Sequence, residues 1–381
     1  MIRMNRSFGP FCRVLLLLLA AALFPAGAAA HAAASSAGRA EDTAAQEIAE
    51  EEPDVKRIVL GHVGDSYEWH IATACGREWS LPLPVIVHSP SSGWHCFSAK
   101  RLRGGAEYEG LRIAADGDHA GKIVERQADG SDLRPLDLSI TKTVAGLLLN
   151  SALVVALVLG AARWYRGRKP DAAAPRGVVG LFETLVESLV DDLIEPCVGP
   201  SYRRFAPYLL TVFCFIFLNN LMGLIPFFPG GANVTGNIAV ALVLAVATFL
   251  VVNLSGSRRY WKDIFWPDVP TWLKVPVPII PLIELVGVFT KPFALMIRLF
   301  ANMLAGHAVI LSLTCVVFVT VKMGAAVNAS MTALSVLFSI FMNCLELLVA
   351  FLQAYVFTML SAVFIGLAQE RGGEADAGAE K

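Results

Sequence analysis

The sequence predicts an all-α integral membrane protein with about five transmembrane helices, the last two forming a long tilted hairpin, and a small β-rich exported N-terminal domain. Of the 381 residues, 55% are hydrophobic and 17% are charged, and the mean hydropathy is +0.58. This balance is typical of a membrane protein and not of a soluble globular one. The net charge of −1 gives no indication of a nucleic-acid partner.

The first element, residues 1–30, has the pattern of a secretory signal peptide. Three arginines lie within the first thirteen residues, residues 14–19 form a short apolar core, and residues 28–30 are all alanine. A membrane anchor is the alternative, but the apolar run is shorter than the ~20 residues that a span needs. Cleavage would start the mature chain near His31, outside the cytoplasm.

Residues 31–139 form a predicted linker and exported region. Residues 31–52 are rich in Ala, Ser and Glu, which is typical of a disordered linker. Further along, alternating polar and apolar residues at 67–71 and 83–87 predict short strands, and Gly104-Gly105 predicts a turn.

The exported region contains candidate disulfide and metal-binding residues. Cys75 and Cys96 lie where a disulfide can persist, so they are a candidate pair. Beyond the linker, residues 53–139 also contain five histidines: His62, His70, His88, His95 and His119. A metal site or a proton-collecting surface is one reading of them, but no tight ligand spacing is present, which favours solvated or structural histidines. We predict no metal and no cofactor.

The first predicted transmembrane helix covers residues 140–163 and sets the orientation. A basic cluster with Trp164 and Tyr165 follows it, and the positive-inside rule places such a cluster in the cytoplasm. This agrees with an N-terminal region that is exported through a signal peptide. We therefore expect an exported N-terminus.

The middle of the chain predicts a cytoplasmic loop, a hairpin and a second loop. Residues 164–203 contain an amphipathic stretch at 180–198 that suits a helix along the membrane surface. Residues 204–255 predict a transmembrane hairpin. Residues 256–275 carry further basic residues and return the chain to the cytoplasm.

Residues 276–368 predict two apolar segments that are too long to cross the bilayer upright. Each has nearly 40 residues, so an unbroken helix would be about 60 Å long, about twice the hydrocarbon thickness. Such helices must tilt strongly, bend or run along the interface. Pro276, Pro278 and Pro281 favour a bent entry. The polar tail 369–381 is predicted to be cytoplasmic.

Arg298 lies in the first of these two segments. A guanidinium at bilayer depth costs roughly 2.5–3.5 kcal/mol even on the lenient insertion scale, and it does not shed its proton. A permanent positive charge within a membrane suits a protein that handles moving protons or ions.

Other polar residues can be placed in depth from the rise of 1.5 Å per residue. Glu284 lies about 21 Å on the cytoplasmic side of Arg298, and His307 about 13 Å on the exported side. Glu346 lies about 10 Å on the exported side of Gln353. If Arg298 and Gln353 face each other, His307 and Glu346 meet at nearly one outer depth. A His–Glu pair can pass protons near neutral pH.

A fixed cation halfway along a proton path stops direct conduction, because it repels the moving charge. A mobile carboxylate on a partner subunit would carry the proton past it. The carboxylate would lose its proton beside Arg298, pass as an anion, and regain a proton on the other side.

Several motifs carry a resemblance to a known family. They are Ile297-Arg298-Leu299-Phe300-Ala301-Asn302, Ala305-Gly306-His307, Leu345-Glu346, Leu352-Gln353-Ala354-Tyr355, and the hairpin segments 219–226 and 232–235. Over about residues 175–368 the chain closely resembles subunit a of the F-type ATP synthases, in which two long tilted helices hug a rotor. The exported N-terminal region departs from the simplest family members.

The resemblance implies roles for six residues. Arg298 would be the stator arginine that faces the rotor carboxylate, with Gln353 opposite it and Asn302 one turn beyond. His307 and Glu346 would line the outer half-channel, and Glu284 the inner one.

The resemblance also implies partners and a location. The partners would be a c-ring of hairpin subunits, the peripheral stalk subunit b, the rest of the ATP synthase, the lipid bilayer and protons. The chain would lie in a bacterial inner membrane with a cytoplasmic C-terminus. No phosphate-binding Gly-rich loop is present in the sequence, so ATP chemistry is expected on other chains.

Two other functions remain open from the residues alone. A stand-alone ion-coupled secondary transporter would also need intramembrane Arg and Glu, but such proteins usually show internal repeats, and none is visible here. A ligand sensor explains neither the Arg, Glu and Gln set nor the missing cytoplasmic output domain. His307 and Glu346 favour protons over sodium ions.

Overall fold

The structure is a computed structural model that describes residues 65–74, 77–114, 119–126, 132–166, 175, 177–225, 230–266, 279–320 and 325–376. The predicted signal peptide and the linker at 31–52 lie outside the described residues, as do His62, Pro276 and Pro278.

The described N-terminal part folds into three small antiparallel sheets. Their orders are β1-β2, β4-β3-β8 and β5-β6-β7. The strands are β1 (Glu68–Ala74), β2 (Arg77–Pro82), β3 (Pro84–Ser89), β4 (Gly93–Ser98), β5 (Leu111–Ile113), β6 (Ile123–Arg126), β7 (Asp132–Leu133) and β8 (Leu136–Asp137). Alternate residues Val85 and Val87 of β3 are fully buried, because successive side chains of a strand point to opposite faces.

A 3₁₀ turn, Ala99–Gly105, closes the core of this domain. It ends in the Gly104-Gly105 turn that the sequence predicts, where both residues have a positive φ, 71° and 80°. Leu102 packs inward with Leu111 and Ile123. The prediction of a small β-rich domain is confirmed.

The rest of the described chain is helical. The helices are α1 (Lys142–Tyr165), α2 (Val178–Ser188), α3 (Glu195–Val198), α4 (Tyr202–Leu224), α5 (Ile238–Ser255), α6 (Arg258–Phe265), α7 (Ile279–Thr320) and α8 (Ala325–Asp376), with a π-helical turn, Leu189–Ile194, that joins α2 to α3. Five helical segments are long and apolar enough to cross a membrane. The predicted fold class, with about five spans, is confirmed.

The last two helices are longer than a bilayer is thick. α7 has 42 residues and α8 has 52, so at 1.5 Å per residue they measure about 63 Å and 78 Å. α8 runs to Asp376, into the segment predicted as a polar tail. Leu, Ala, Gln, Glu and Arg fill positions 367–371, and these are all good helix formers that allow the helix to continue.

α4, α5, α7 and α8 pack around a shared apolar core. Its fully buried residues include Phe213 of α4, Leu244 of α5, Leu299 of α7 and Phe357 of α8. Leu193 in the π-helical turn adds to the same core. This turn therefore belongs to the amphipathic segment whose apolar side faces the bundle, while Asp191 and Asp192 are exposed.

The β-rich domain contacts the ends of α1 and of the α4–α5 loop. The backbone N–H of Lys142 donates to the Ser66 carbonyl at 2.8 Å. The backbone N–H of Thr143 donates to Asp65 Oδ1 at 3.0 Å. These bonds attach the domain to the first turn of α1, at the end of the bundle that is predicted to be exported.

Candidate functional site in the α7–α8 hairpin

Arg298 lies on the outward side of α7. Its neighbours Leu295 and Leu299 are 2% and 0% exposed and pack into the bundle, whereas Arg298 is exposed. Among the residues that the structure describes, no hydrogen bond or ion pair reaches its guanidinium. Arg298 is therefore a cation without a partner among the described residues, on the face of α7 that the rest of the chain leaves uncovered.

Much of the surface beside Arg298 is apolar. Phe289, Phe293 and Ile297 of α7 are between 44% and 58% exposed. A soluble protein rarely exposes such a patch, whereas lipid or a partner subunit would cover it in a membrane.

Asn302 and Gln353 join the two helices one turn beyond Arg298. Asn302 Nδ2 donates to Gln353 Oε1 at 2.7 Å. Gln353 is 3% exposed and its Nε2 has no partner among the described residues. The resemblance implies that Gln353 lies opposite Arg298, and this stays a prediction. The Gln353 oxygen accepts from Asn302 in the seam between α7 and α8.

His307 and Glu346 meet between α7 and α8. Nδ1 of His307 lies 2.8 Å from Oε1 of Glu346, and the two side chains are 19% and 5% exposed. Neither atom has a hydrogen-bond partner among the described residues, so the two groups are in close contact without a well-formed hydrogen bond. The depth argument placed the two residues at one level, and the structure brings them into contact.

The contact of the other ring nitrogen of His307 indicates which positions of the ring carry hydrogen. Nε2 lies 3.3 Å from the carbonyl oxygen of Gly223 in α4. A carbonyl only accepts, so we assign the Nε2 position an N–H. Nδ1 and the Glu346 carboxylate, which would otherwise both be acceptors, then need one proton between them. The arrangement can hold that proton on either residue.

Gly306 makes room for this pair. A Cβ atom at Gly306 would lie 2.6 Å from Glu346 Oε1 and 3.1 Å from its Cδ. Only a residue without a side chain lets the carboxylate lie against α7 at this point.

A buried polar network that the residue-based reasoning missed lies beside the pair. Asn150 of α1 donates to Asn219 of α4 at 2.9 Å. Thr235 donates to Asn220 at 2.6 Å, and Asn220 donates to the Ala350 carbonyl of α8 at 3.3 Å. Asn150 in α1 and Asn219-Asn220 in α4 are amides within predicted spans, and these were the sequence signals that could have drawn attention to the network.

Glu284 lines a separate cleft at the other end of the hairpin. The cleft lies among α5, α6, α7 and α8, and it also contains Lys291, Asn253 and Tyr260. Its volume is about 40 Å³, which exceeds the ~10–15 Å³ that a single water needs. Glu284 is thus partly exposed to a water-sized space, far along α7 from His307.

The candidate disulfide and most of the candidate histidines belong to the β-rich domain. Cys96 is an exposed free thiol, and Cys75 lies outside the described residues, so the proposed link stays a prediction. His95 contacts Glu109 and Ser92, and His88 packs edge-on against Trp94. No group of three metal-type ligands occurs among the described residues.

Fold and site together define a class. The chain is a multi-pass membrane protein of the ion-transporting type. Its α7–α8 hairpin carries, at three levels, an exposed cation without a partner among the described residues, a His–Glu contact and a carboxylate that lines a cleft. A family model described as "ATP synthase A chain" matches residues 148–366. That is more than half of the chain, so the chain belongs to the ATP synthase A chain family, and the predicted family is confirmed.

Curated relatives agree with the family model. "ATP synthase subunit a 2" of Chlorobaculum tepidum is 47% identical over 238 residues, which cover 61% of this chain and 64% of the relative. "ATP synthase subunit a" of Chlorobium phaeobacteroides is 45% identical over 245 residues, covering 63% and 68%. "ATP synthase subunit a" of Anaeromyxobacter sp. is 33% identical over 348 residues, covering 88% and 76%.

The exported domain has a match of its own. A family model described as a domain of unknown function matches residues 58–138. This range corresponds to the β-rich part of the structure, and the match assigns it no activity.

Proposed function

We propose that this chain is the membrane stator subunit a of a rotary F-type ATP synthase, which provides two offset proton half-channels against a c-ring. The observation that carries the proposal is the position of Arg298. Arg298 is exposed and unpaired among the described residues. The polar contacts of His307 and Glu346 lie instead between α7 and α8 and towards α4.

The two proton sites are separated by the cation. The His307–Glu346 pair would receive protons from the exported side, and Glu284 would release them into the cleft on the cytoplasmic side. A positive charge that passes within about 4 Å of a guanidinium is repelled by about 4 kcal/mol at an effective dielectric constant of 20. Protons therefore do not run straight from one site to the other.

A rotor carboxylate would complete the path. It would bind a proton from Glu346, travel through the membrane as a neutral acid, and release the proton towards Glu284. Beside Arg298 it would be an anion, which the unpaired guanidinium attracts. Each proton that crosses in this way releases about 2.3 kcal/mol of free energy per 100 mV of membrane potential, and this energy turns the ring.

The partners follow from this mechanism. The exposed apolar face around Arg298 would lie against a c-ring of hairpin subunits, and the rest of the ATP synthase, including subunit b, would hold the chain still. We place it in a bacterial inner membrane, with the N-terminus exported and the C-terminus cytoplasmic.

The test uses inverted vesicles that contain the whole complex. Arg298→Ala is expected to abolish ATP-driven proton pumping while the soluble head still hydrolyses ATP. Arg203→Ala, which removes an exposed arginine from the first turn of α4, is the matched control and is expected to pump normally. Normal coupled pumping by the Arg298→Ala complex would defeat the proposal.

A stand-alone secondary transporter makes a different prediction. It would purify without a ring of small hairpin subunits, and its transport would not depend on ATP hydrolysis by other chains. Copurification with such a ring separates the two functions.

A further inference from the structure

The exported domain inserts one large side chain between the membrane helices. Trp69 of β1 is 3% exposed and belongs to the same apolar core as Leu147 of α1, Ala232 and Val234. Its indole Nε1–H donates to the carbonyl oxygen of Gly230 at 3.2 Å. The domain is thus bound to the α4–α5 loop through a buried hydrogen bond as well as through packing.

The loop that Trp69 holds is tied closely to the end of α4. The backbone N–H of Gly231 donates to the Met222 carbonyl at 3.2 Å. A Cβ atom at Gly230 would lie 2.5 Å from Ile225, so the loop lies directly against the last turn. The residue after Met222 is Gly223, whose carbonyl oxygen lies 3.3 Å from Nε2 of His307.

A second connection leads from the same loop to α8. Thr235 donates to Asn220, and Asn220 donates to the carbonyl of Ala350, at 2.6 Å and 3.3 Å. Ala350 lies one helical turn after Glu346. The loop therefore contacts the supports of both members of the His307–Glu346 pair.

We propose that Trp69 is a positioning residue for the His307–Glu346 pair, and that the exported domain is a clamp on the outer half of the proton path. This inference rests on the proposed function. Trp69 suits the task because its ring supplies a large buried area and its N–H satisfies a buried carbonyl that would otherwise be unpaired.

The described elements around the pair carry few charged side chains. Residues 230–237 and α5 carry none, and α4 carries only Arg203 and Arg204, in its first turn at the opposite end. On α1 the charged residues are Arg163, near the opposite end, and Lys142, in the first turn, where Asp65 of the β-rich domain also lies. On α7 the nearest is Arg298, nine positions before His307, and on α8 the nearest to Glu346 is Glu370. A change in the pH profile is therefore assigned to the pair by combining each variant with a substitution in the pair.

The experiment measures ATP-driven pumping against pH in vesicles that contain the complete complex, normalised to the amount of assembled complex. Trp69→Phe keeps a buried ring and removes the N–H donor. Trp94→Phe is the matched control, because Trp94 belongs to the same domain and is 63% exposed. Loss of one buried hydrogen bond changes an equilibrium by up to about tenfold, which corresponds to a shift of up to about one pH unit.

We expect the shift in Trp69→Phe and not in Trp94→Phe, and we expect it to become smaller when His307→Ala is added, because one of the two connections from the loop ends at His307. Thr235→Val cuts the second connection while keeping Trp69, and it is expected to shift the profile as well. If the Trp69→Phe complex does not assemble, Thr235→Val therefore still tests the inference.

Two results would overturn the inference. One is a Trp69→Phe complex whose pH profile is identical to that of Trp94→Phe. If Trp69→Phe does not assemble, the same result in Thr235→Val counts instead. The other is a shift of unchanged size when His307→Ala is added. If Arg298→Ala abolishes pumping in the same vesicles, such results reject the clamp and leave the stator function intact. Normal pumping by Arg298→Ala rejects the function itself.

Discussion

Gly306→Ala is the sharpest perturbation of the candidate proton site. The new Cβ would lie 2.6 Å from Glu346 Oε1, whereas ordinary contacts begin at 3.4 Å, so the carboxylate must retreat by about 0.8 Å. Glu346 is the end of a flexible side chain and can move without moving α8. A retreat away from α7 would lengthen its 2.8 Å contact with His307 Nδ1 beyond hydrogen-bond range.

The size of the effect follows from the contact that is lost. A proton that passes between the two groups needs the hydrogen bond that they would form at that moment. Such a bond to a charged group contributes about 1.5–3 kcal/mol, and 1.4 kcal/mol is a factor of ten. We therefore expect proton transfer through the outer path to slow by about tenfold or more. The helix itself should not suffer, because Ala in a helix interior is about 1 kcal/mol more favourable than Gly.

The assay compares ATP-driven pumping with ATP hydrolysis in inverted vesicles. Gly287→Ala is the matched control, since it changes the same residue type on the same helix, at a position with no atom within 4 Å. Gly306→Ala should lose pumping at unchanged assembly, and Gly287→Ala should keep it. Equal pumping by the two variants would refute the assignment of this pair to the proton path.

Two further predictions concern the cytoplasmic cleft and the exported domain. Glu284→Gln removes the ionisable group from the cleft and is expected to slow coupled pumping severalfold, whereas Glu187→Gln, at an exposed position on α2, should not; equal rates would exclude Glu284 from the path. In the exported domain, hydrogen bonds from the Arg103 guanidinium lower the pKa of the Glu68 carboxyl. A lowered folded-state pKa contributes stability that is present above the ordinary pKa of 4.5 and is lost as the pH falls below it. Thermal unfolding of the domain between pH 7 and pH 3 should therefore show a smaller loss in Arg103→Gln than in the unchanged protein, and an equal loss in both would contradict the role of this pair.

Much of the fold was predictable because a bilayer allows few solutions. Twenty apolar residues in one run must be a helix, and basic clusters assign its ends to one side. The excess length of α7 and α8 was visible for the same reason. The strands of the exported domain were visible from alternation around Val85 and Val87, although their sheet pairing was not.

The level of each site residue in the membrane was predictable from the sequence, but the direction in which its side chain points was less so. A rise of 1.5 Å per residue is the same in every α-helix, so the common level of His307 and Glu346 follows from counting residues. Which way each side chain points depends on how two helices are turned about their axes. For that reason the sequence did not predict that the Gln353 oxygen accepts a hydrogen bond from Asn302.

The sequence by itself determined the five spans and the presence of a permanent cation among apolar residues, because the hydrocarbon core penalises every unpaired charge and backbone group in the same way. Only the tertiary structure decided which polar groups touch. The Asn150–Asn219 bond, the second proton position on His307 beside Gly223, and the contact of Trp69 with Gly230 join residues that lie 69, 84 and 161 positions apart. Contacts over such separations arise from the packing of whole helices and of the exported domain, which no local pattern of residues records.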